Sequence, residues 1–197
     1  MTNREALALK RVIDVAAATT LSVVCLPVMG AIALAIKVDS RGPVLFTQPR
    51  AGLHGRPFLI YKFRTMTDAH GGVIRSLDDP RITGVGRFLR RTSLDELPQL
   101  LNVLAGDMSL VGPRPQLLGT TRPHELRRLD MRPGMTGLVE VSDPHRMTWD
   151  QRMALDVEYV ERWSLRLDIS IMLRTVPVMF ARKNALDPPR TDKDSQA

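Results

Sequence analysis

From Val15 to Ile36 no side chain is charged, a run close to the ~20 residues that one α-helix needs to cross a bilayer core. Pro27 sits inside the run, where a proline removes a backbone donor and bends a helix. Basic residues flank both ends: Arg4, Lys10 and Arg11 before it, Lys37 and Arg41 after it. A cleaved secretory signal has a shorter apolar stretch and a small-residue cleavage site ahead of a mature domain, whereas here the run leads straight into strand-like sequence. A straight transmembrane helix fits the length. A helix that enters one leaflet and returns fits Pro27 as well, and with cations at both ends the positive-inside bias favours neither orientation. A buried core helix is the fourth option.

Beyond Asp39 the hydrophobic period changes. Val44 to Thr47 and Phe58 to Phe63 are β-rich, and Gly52, Gly55 and Pro57 punctuate the segment between them, which predicts a β-hairpin. Pro49 predicts an edge position for the first strand. "TDAHGGVIRSLDDPRITGVG" is turn-rich and reads as a surface connection. A helix is predicted from about Ser93 to Leu104, stopped by Gly106. "LVGPRPQ" is extended and stiff, and "RPGMTGLVEVS" predicts a turn with a short strand. From Thr148 to Lys183 apolar residues recur at helical spacing. Within that stretch, Leu165 to Phe180 mixes Arg166 and Arg174 with apolar residues, which suits either a helix lying at a lipid interface or an ordinary core helix. The tail from residue 184 to 197 is polar and proline-bearing, as disordered segments are. No internal repeat is visible.

Charge narrows the chemistry. Lys and Arg outnumber Asp and Glu by 28 to 21 in 197 residues, a formal charge of +7, which points to anionic partners such as nucleic acid, anionic lipid or phosphorylated substrates. Aromatic residues make up only 5%, too few for the stacking platforms of most nucleic-acid binders. The single cysteine, Cys25, excludes an internal disulfide. His54, His70, His124 and His145 lie far apart and show no zinc-ligand spacing.

Against this basic background, "RRTSLDELPQ" places Asp95 and Glu96 side by side just after Arg90 and Arg91. Ser93 and Glu96 have the spacing of a capping box, with acids favoured in a first helical turn. The same helix start can hold a phosphate. Arg87, Arg90 and Arg91 precede it, Arg114 stands between Pro113 and Pro115, and Lys62 and Arg64 share one strand face. Singly, each is read as a solvated charge or a cap. Together they describe a site for phosphorylated ligands in which an acid does the chemistry.

"KRVID", Pro27 in its apolar run, "KVDSRGPVLFTQPRAG", "YKFRTM", "TSLDELPQLLNVLAGDMSLVGPRP", "RPGMTGL" and "LDVEYVERWSLRLD" occur in an order that resembles the bacterial sugar transferases, the monotopic phosphoglycosyl transferase family. The resemblance covers about Lys10 to Arg182 and is to the short form. It implies an α+β, mainly helical monotopic membrane protein with an N-terminal re-entrant helix, a β-hairpin and interfacial amphipathic helices. Residues 1–39 would be the membrane element, 40–183 a catalytic domain at the cytoplasmic face of the bacterial inner membrane, and 184–197 a polar tail. The implied reaction moves a sugar 1-phosphate from a UDP-sugar to undecaprenyl phosphate and releases UMP, with Mg2+ as cofactor and membrane lipids, not nucleic acid, as surroundings.

By position, Asp95 matches the family's nucleophile and Glu96 its partner acid, both also expected at the metal. Lys62, Arg90 and Arg114 match basic residues around the substrate phosphates, and Pro27 the membrane-helix break. A carboxylate of ordinary pKa, ~4, is ionised at neutral pH and needs no base. Leu26 stands where the family commonly has serine, and Glu140 with Asp143, Pro144 and His145 replaces a more usual glutamine and glycine-containing turn. A basic membrane-tethered scaffold explains the charge but not "LDEL" with "GPRP". A phosphohydrolase using Asp95 and water is the third possibility. Which sugar is carried and the oligomeric state are not encoded in any motif.

Overall fold

The computed structural model describes residues 3–67, 79–142 and 147–181. The predicted disordered tail, Asp143, Pro144 and His145, and most of the turn-rich connection after Thr67 lie outside the described residues.

The apolar run forms the centre of α1, Asn3–Asp39, one continuous helix with Pro27 inside it rather than at a break between two helices. Proline has no N–H to give the carbonyl four residues earlier, here that of Val23. The helix is long and apolar enough to cross a membrane, and its 18-residue apolar window has mean hydropathy 2.2 and is only 11% buried. That exposure excludes the core-helix option. Both ends of α1 nonetheless pack on the rest of the chain. At the first, Arg11 donates to the carbonyls of Val103 (2.7 Å) and Leu104 (3.2 Å), and Ala18 is fully buried in the main core. At the second, Ile32 and Ile36 join Phe63 and Leu89 in a separate apolar cluster. Between them Leu21, Val23, Val24, Leu26 and Val28 are exposed.

The hairpin is present as β1, Leu45–Ala51, and β2, Pro57–Phe63, antiparallel from Leu45↔Phe63 to Ala51↔Pro57. β1 runs through Pro49, which faces Leu59. A short strand further along the chain lies on the other side of β1, but pairs only with Arg50 and Ala51. Pro49 therefore sits where β1 has one neighbour, so the edge expectation holds locally within a central strand.

The single helix expected from Ser93 to Leu104 is divided. α2, Gly84–Thr92, ends where Ser93 takes a left-handed φ of 56°. A 3-10 turn, Leu94–Glu96, follows, and α3 covers only Gln99–Ala105, closed by Gly106 at φ 93°. The extended segments form β3, Ser109–Val111, β4, Gln116–Leu117, and β5, Gly134–Thr136. The first sheet has the order β2-β1-β4, and β3 pairs in parallel with β5. A 3-10 stretch, Pro123–Asp130, packs against α4, Trp149–Glu161, whose start is a capping box between Thr148 and Gln151.

α5, Leu165–Ala181, buries one side and exposes another. Asp168 and Ile171 are buried, while Ile169, Leu173 and Val176 form an exposed apolar stripe at i, i+4 and i+7 spacing. A buried polar cluster joins α5 to α1: Lys10 Nζ reaches Asp168 (2.7 Å) and the Val111 carbonyl (2.9 Å). Tyr159 donates to the same carboxylate (2.7 Å). Burial and the neighbouring Asp168 push the Tyr159 phenol upward, so it stays a proton donor at every working pH.

Candidate active site

The outer edge of β2 is closed by a side chain rather than a strand. Asn102 of α3, fully buried, accepts from the Tyr61 amide (3.0 Å) and donates to the Leu59 carbonyl (2.7 Å). This docks α3 beside β2 and brings the turn before it, Leu94–Glu96, against the end of the strand. There Lys62 Nζ meets Glu96 Oε1 at 2.5 Å. The capping box expected of Ser93 and Glu96 is not formed. Ser93, with its left-handed backbone, makes no side-chain cap, and Glu96 faces the strand lysine instead.

On the other side of the acid pair, Arg90 Nε donates to Thr65 Oγ1 at 2.8 Å. α2 can approach that closely because of Gly86, where a Cβ would fall 2.1 Å from the Thr65 carbonyl oxygen. Asp95 lies among these groups, partly exposed. Desolvation, with the neighbouring Glu96 carboxylate adding to it, raises its pKa from the usual carboxylate range to about 6, against the pull of Lys62 and Arg90. The sequence expectation of an ordinary carboxylate is corrected in that respect, though at pH 7 the group is still mainly ionised. Burial lowers the pKa of Arg90, which stays charged.

Arg50 was not singled out in the sequence, yet it belongs here. Burial and the like charge of Arg114 lower its pKa to about 10, opposed by Glu96, so it lies within electrostatic reach of both. It donates to Gln48 Oε1 (2.6 Å) and to the Pro115 carbonyl (3.2 Å). The cross-strand pairs Phe46↔Lys62, Gln48↔Ile60 and Arg50↔Phe58 put Gln48, Arg50 and Lys62 on one sheet face. That period-two relation was the available signal.

Arg114 projects from the loop after β3. The loop lies tight against the start of β5: a Cβ on Gly134 would stand 2.1 Å from the Gly112 nitrogen, and one on Gly112 2.3 Å from the Arg132 oxygen. The Arg114 guanidinium contacts Glu140 at 3.1 Å, a residue noted in the sequence only as a departure from the family pattern. Lys62, Arg90, Asp95 and Glu96 are thus gathered in one place, and Arg114 joins them across Arg50. Arg64 does not share the site. It turns back to the Arg41 carbonyl and to Ser40, bonding the Ser40 carbonyl at 2.8 Å. Pro27 lies in α1, away from this chemistry.

Among the described residues no group of three His, Cys, Asp or Glu side chains is placed to hold a metal. Mg2+ rarely needs one: it is held by one or two carboxylates with the remaining positions filled by substrate phosphates and water. The adjacent hard-oxygen donors of Asp95 and Glu96 meet that requirement. An anionic substrate would find here two carboxylates that repel it and four cations, Lys62, Arg90, Arg50 and Arg114, that attract it. Such a site suits nucleophilic attack by a carboxylate on a phosphoryl group.

Residues 5–182 match the model of a family described as bacterial sugar transferase. The chain is 46% identical over 190 residues to the UDP-glucose:undecaprenyl-phosphate glucose-1-phosphate transferase of Caulobacter vibrioides, covering 89% of this chain and 71% of that one. It is 44% identical over 173 residues to the uncharacterized sugar transferase EpsL of Bacillus subtilis, covering 85% of each. It is 39% identical over 203 residues to the undecaprenyl-phosphate galactose phosphotransferase of Salmonella typhimurium, 90% of this chain but 41% of that longer protein. With nearly the whole chain inside the family match, the protein belongs to the bacterial sugar transferase family.

Proposed function

We propose that this protein is a phosphoglycosyl transferase that moves a sugar 1-phosphate from a UDP-sugar to undecaprenyl phosphate, releasing UMP and starting the assembly of a polysaccharide or glycoconjugate. Its family membership supports the reaction. The observation that carries the mechanism is the position of Asp95, partly exposed and flanked by Glu96, Lys62 and Arg90.

In the first step an Asp95 carboxylate oxygen forms a bond to the sugar-bearing phosphorus. The bond from that phosphorus to the bridging oxygen breaks, and UMP leaves with the electron pair. Lys62, Arg90 and Arg114, with Arg50 beside them, offset the repulsion between carboxylate and diphosphate and stabilise the charge growing on UMP. In the second step an oxygen of the lipid phosphate attacks the phosphorus of the acyl phosphate, and Asp95 departs as a free carboxylate. The order is ping-pong. Mg2+ would be held by Asp95 and Glu96 and would supply charge neutralisation at the phosphates. Glu96, paired with Lys62, keeps that ammonium beside the reacting group.

An acceptor anchored in lipid requires the site to lie at a membrane surface. Support comes from α1, whose two ends pack on one body while its apolar middle is exposed. A straight span would separate those ends by ~30 Å of hydrocarbon. The exposed stripe of α5 offers a second apolar surface for the same membrane face. This favours a protein that enters and leaves from the cytoplasmic side, where UDP-sugars are made. The relatives named above carry glucose in one case and galactose in another, so the sugar is left to experiment. Purified protein in detergent, given Mg2+, undecaprenyl phosphate and a panel of UDP-sugars, should release UMP continuously only when donor and lipid are both present, with donor alone giving no more than one equivalent per enzyme. Continuous release without lipid would mean a hydrolase, and no release across the panel would remove the catalytic assignment.

A further inference from the structure

The loop that carries Arg114 is fixed at every backbone polar group. Pro113 and Pro115 have no N–H, so the Arg114 amide is the single backbone donor between Gly112 and Gln116. It donates to Asp156 Oδ1 at 3.3 Å. The three carbonyls are taken by three different parts of the chain. Pro113 accepts from the Gly134 amide at 2.9 Å. Arg114 accepts from Arg128 Nη2 at 2.6 Å, and Pro115 from Arg50 Nη1 at 3.2 Å. The same Arg128 nitrogen is ion-paired with Asp156 Oδ2. Asp156 is 0% and Arg128 2% exposed. One buried ion pair, built from α4 and the 3-10 stretch before it, therefore grips both the N–H and the C=O of a single residue, whose side chain enters the site.

A buried pair of this kind is a poor source of stability, because stripping water from two charges costs about as much as their attraction returns. Burial pushes the Asp156 carboxyl above the usual carboxylate range, with Arg128 opposing the rise and Glu140 adding to it. What the pair does provide is direction. Backbone groups of one residue held from both sides leave little freedom to the Cα–Cβ bond, and the guanidinium then starts from a fixed point toward Glu140.

We propose that the Asp156–Arg128 pair is a positioning device that fixes the Arg114 backbone and so aims its guanidinium at the donor's phosphates; this rests on the transferase assignment above. Neither residue touches substrate. Both act through Arg114.

The test is a double-mutant cycle on the full chain, with UMP release from UDP-sugar as the readout. Asp156→Asn keeps an oxygen for the Arg114 amide but breaks the ion pair with Arg128. In the otherwise native protein it should lower kcat/KM for the donor by about 30- to 100-fold, the range that an ångström of misplacement produces. In an Arg114→Ala background the same substitution should change kcat/KM by less than about threefold, since nothing remains to be aimed. Arg128→Lys, which can reach one partner but not both, repeats the cycle if Asp156→Asn does not fold. Equal losses in both backgrounds would assign the pair a purely structural part and overturn the proposal, as would native activity in either single variant. If the native protein releases no UMP, it is the transferase assignment that fails; an active native protein with multiplicative losses refutes the positioning alone.

Discussion

Replacing Asp95 by asparagine should abolish turnover and at the same time make the protein more stable. Asp95 has its folded pKa raised from 3.8 to about 6, first by desolvation and then by Glu96. A raised acid favours the protonated form in the fold, so its contribution to stability is present at low pH and lost as pH climbs between those two values. Above pH 7 the folded protein holds a carboxylate that the unfolded chain ionises more readily. Each pKa unit corresponds to 1.36 kcal/mol, giving a penalty of at most about 3 kcal/mol at pH 8. Asparagine keeps the shape, removes the charge and relieves the repulsion from Glu96. For a chain of this size the gain corresponds to at most roughly 6–12 °C in Tm. Thermal unfolding of both forms in one detergent, followed by circular dichroism from pH 4 to pH 8, measures it. The gap should be near zero at pH 4 and reach its full size above pH 7. A variant no more stable than the native protein at pH 8, or equally more stable at pH 4 and pH 8, would refute the electrostatic reasoning.

The same titration governs rate. With Asp95 acting as an anion, kcat/KM for the donor should be level above pH 7 and fall on the acid side as the carboxylate takes up a proton; a rate that does not fall on acidification would contradict its role as nucleophile. Gly134→Ala should destabilise the protein by about 3 kcal/mol, because a Cβ there meets the Gly112 and Thr136 backbone at 2.1 and 2.3 Å. Gly30→Ala, with nothing within 4 Å of the new atom, should leave the melting temperature unchanged or slightly higher. A cysteine placed at Arg4, in a chain whose Cys25 is replaced by serine, should react with an impermeant maleimide only from the cytoplasmic side of inner-membrane vesicles. Periplasmic reaction would mean that α1 crosses the bilayer.

Much of this architecture was legible in the sequence because it is written in local chemistry. The hairpin follows from two β-rich runs separated by Gly52, Gly55 and Pro57, and α3 does stop at Gly106. The gathering of Lys62, Arg90, Asp95 and Glu96 followed from motif order. What escaped depends on tertiary packing. Ser93 and Glu96 have the spacing of a cap, but a lysine distant in sequence outcompetes the local backbone for that carboxylate. The left-handed turn at Ser93, unusual for a residue with a side chain, has no sequence signature of its own. The shift of Asp95 arises from burial that no linear motif reports. Arg50 was hidden because a strand cation reads as solvated until the register shows which face it shares with Lys62. The clamp on Arg114 joins residues 14 and 42 positions away, beyond the reach of any spacing rule.

The proposed reaction requires a covalent bond at Asp95. Purified protein should be mixed with UDP-sugar and Mg2+ but no lipid, quenched within a turnover, digested at neutral pH and its peptides weighed. The peptide containing Asp95 should carry the mass of a sugar phosphate, its amount matching the UMP released, and undecaprenyl phosphate added before the quench should remove it. Active enzyme that never yields this adduct, or that carries it on a different residue, would contradict the mechanism.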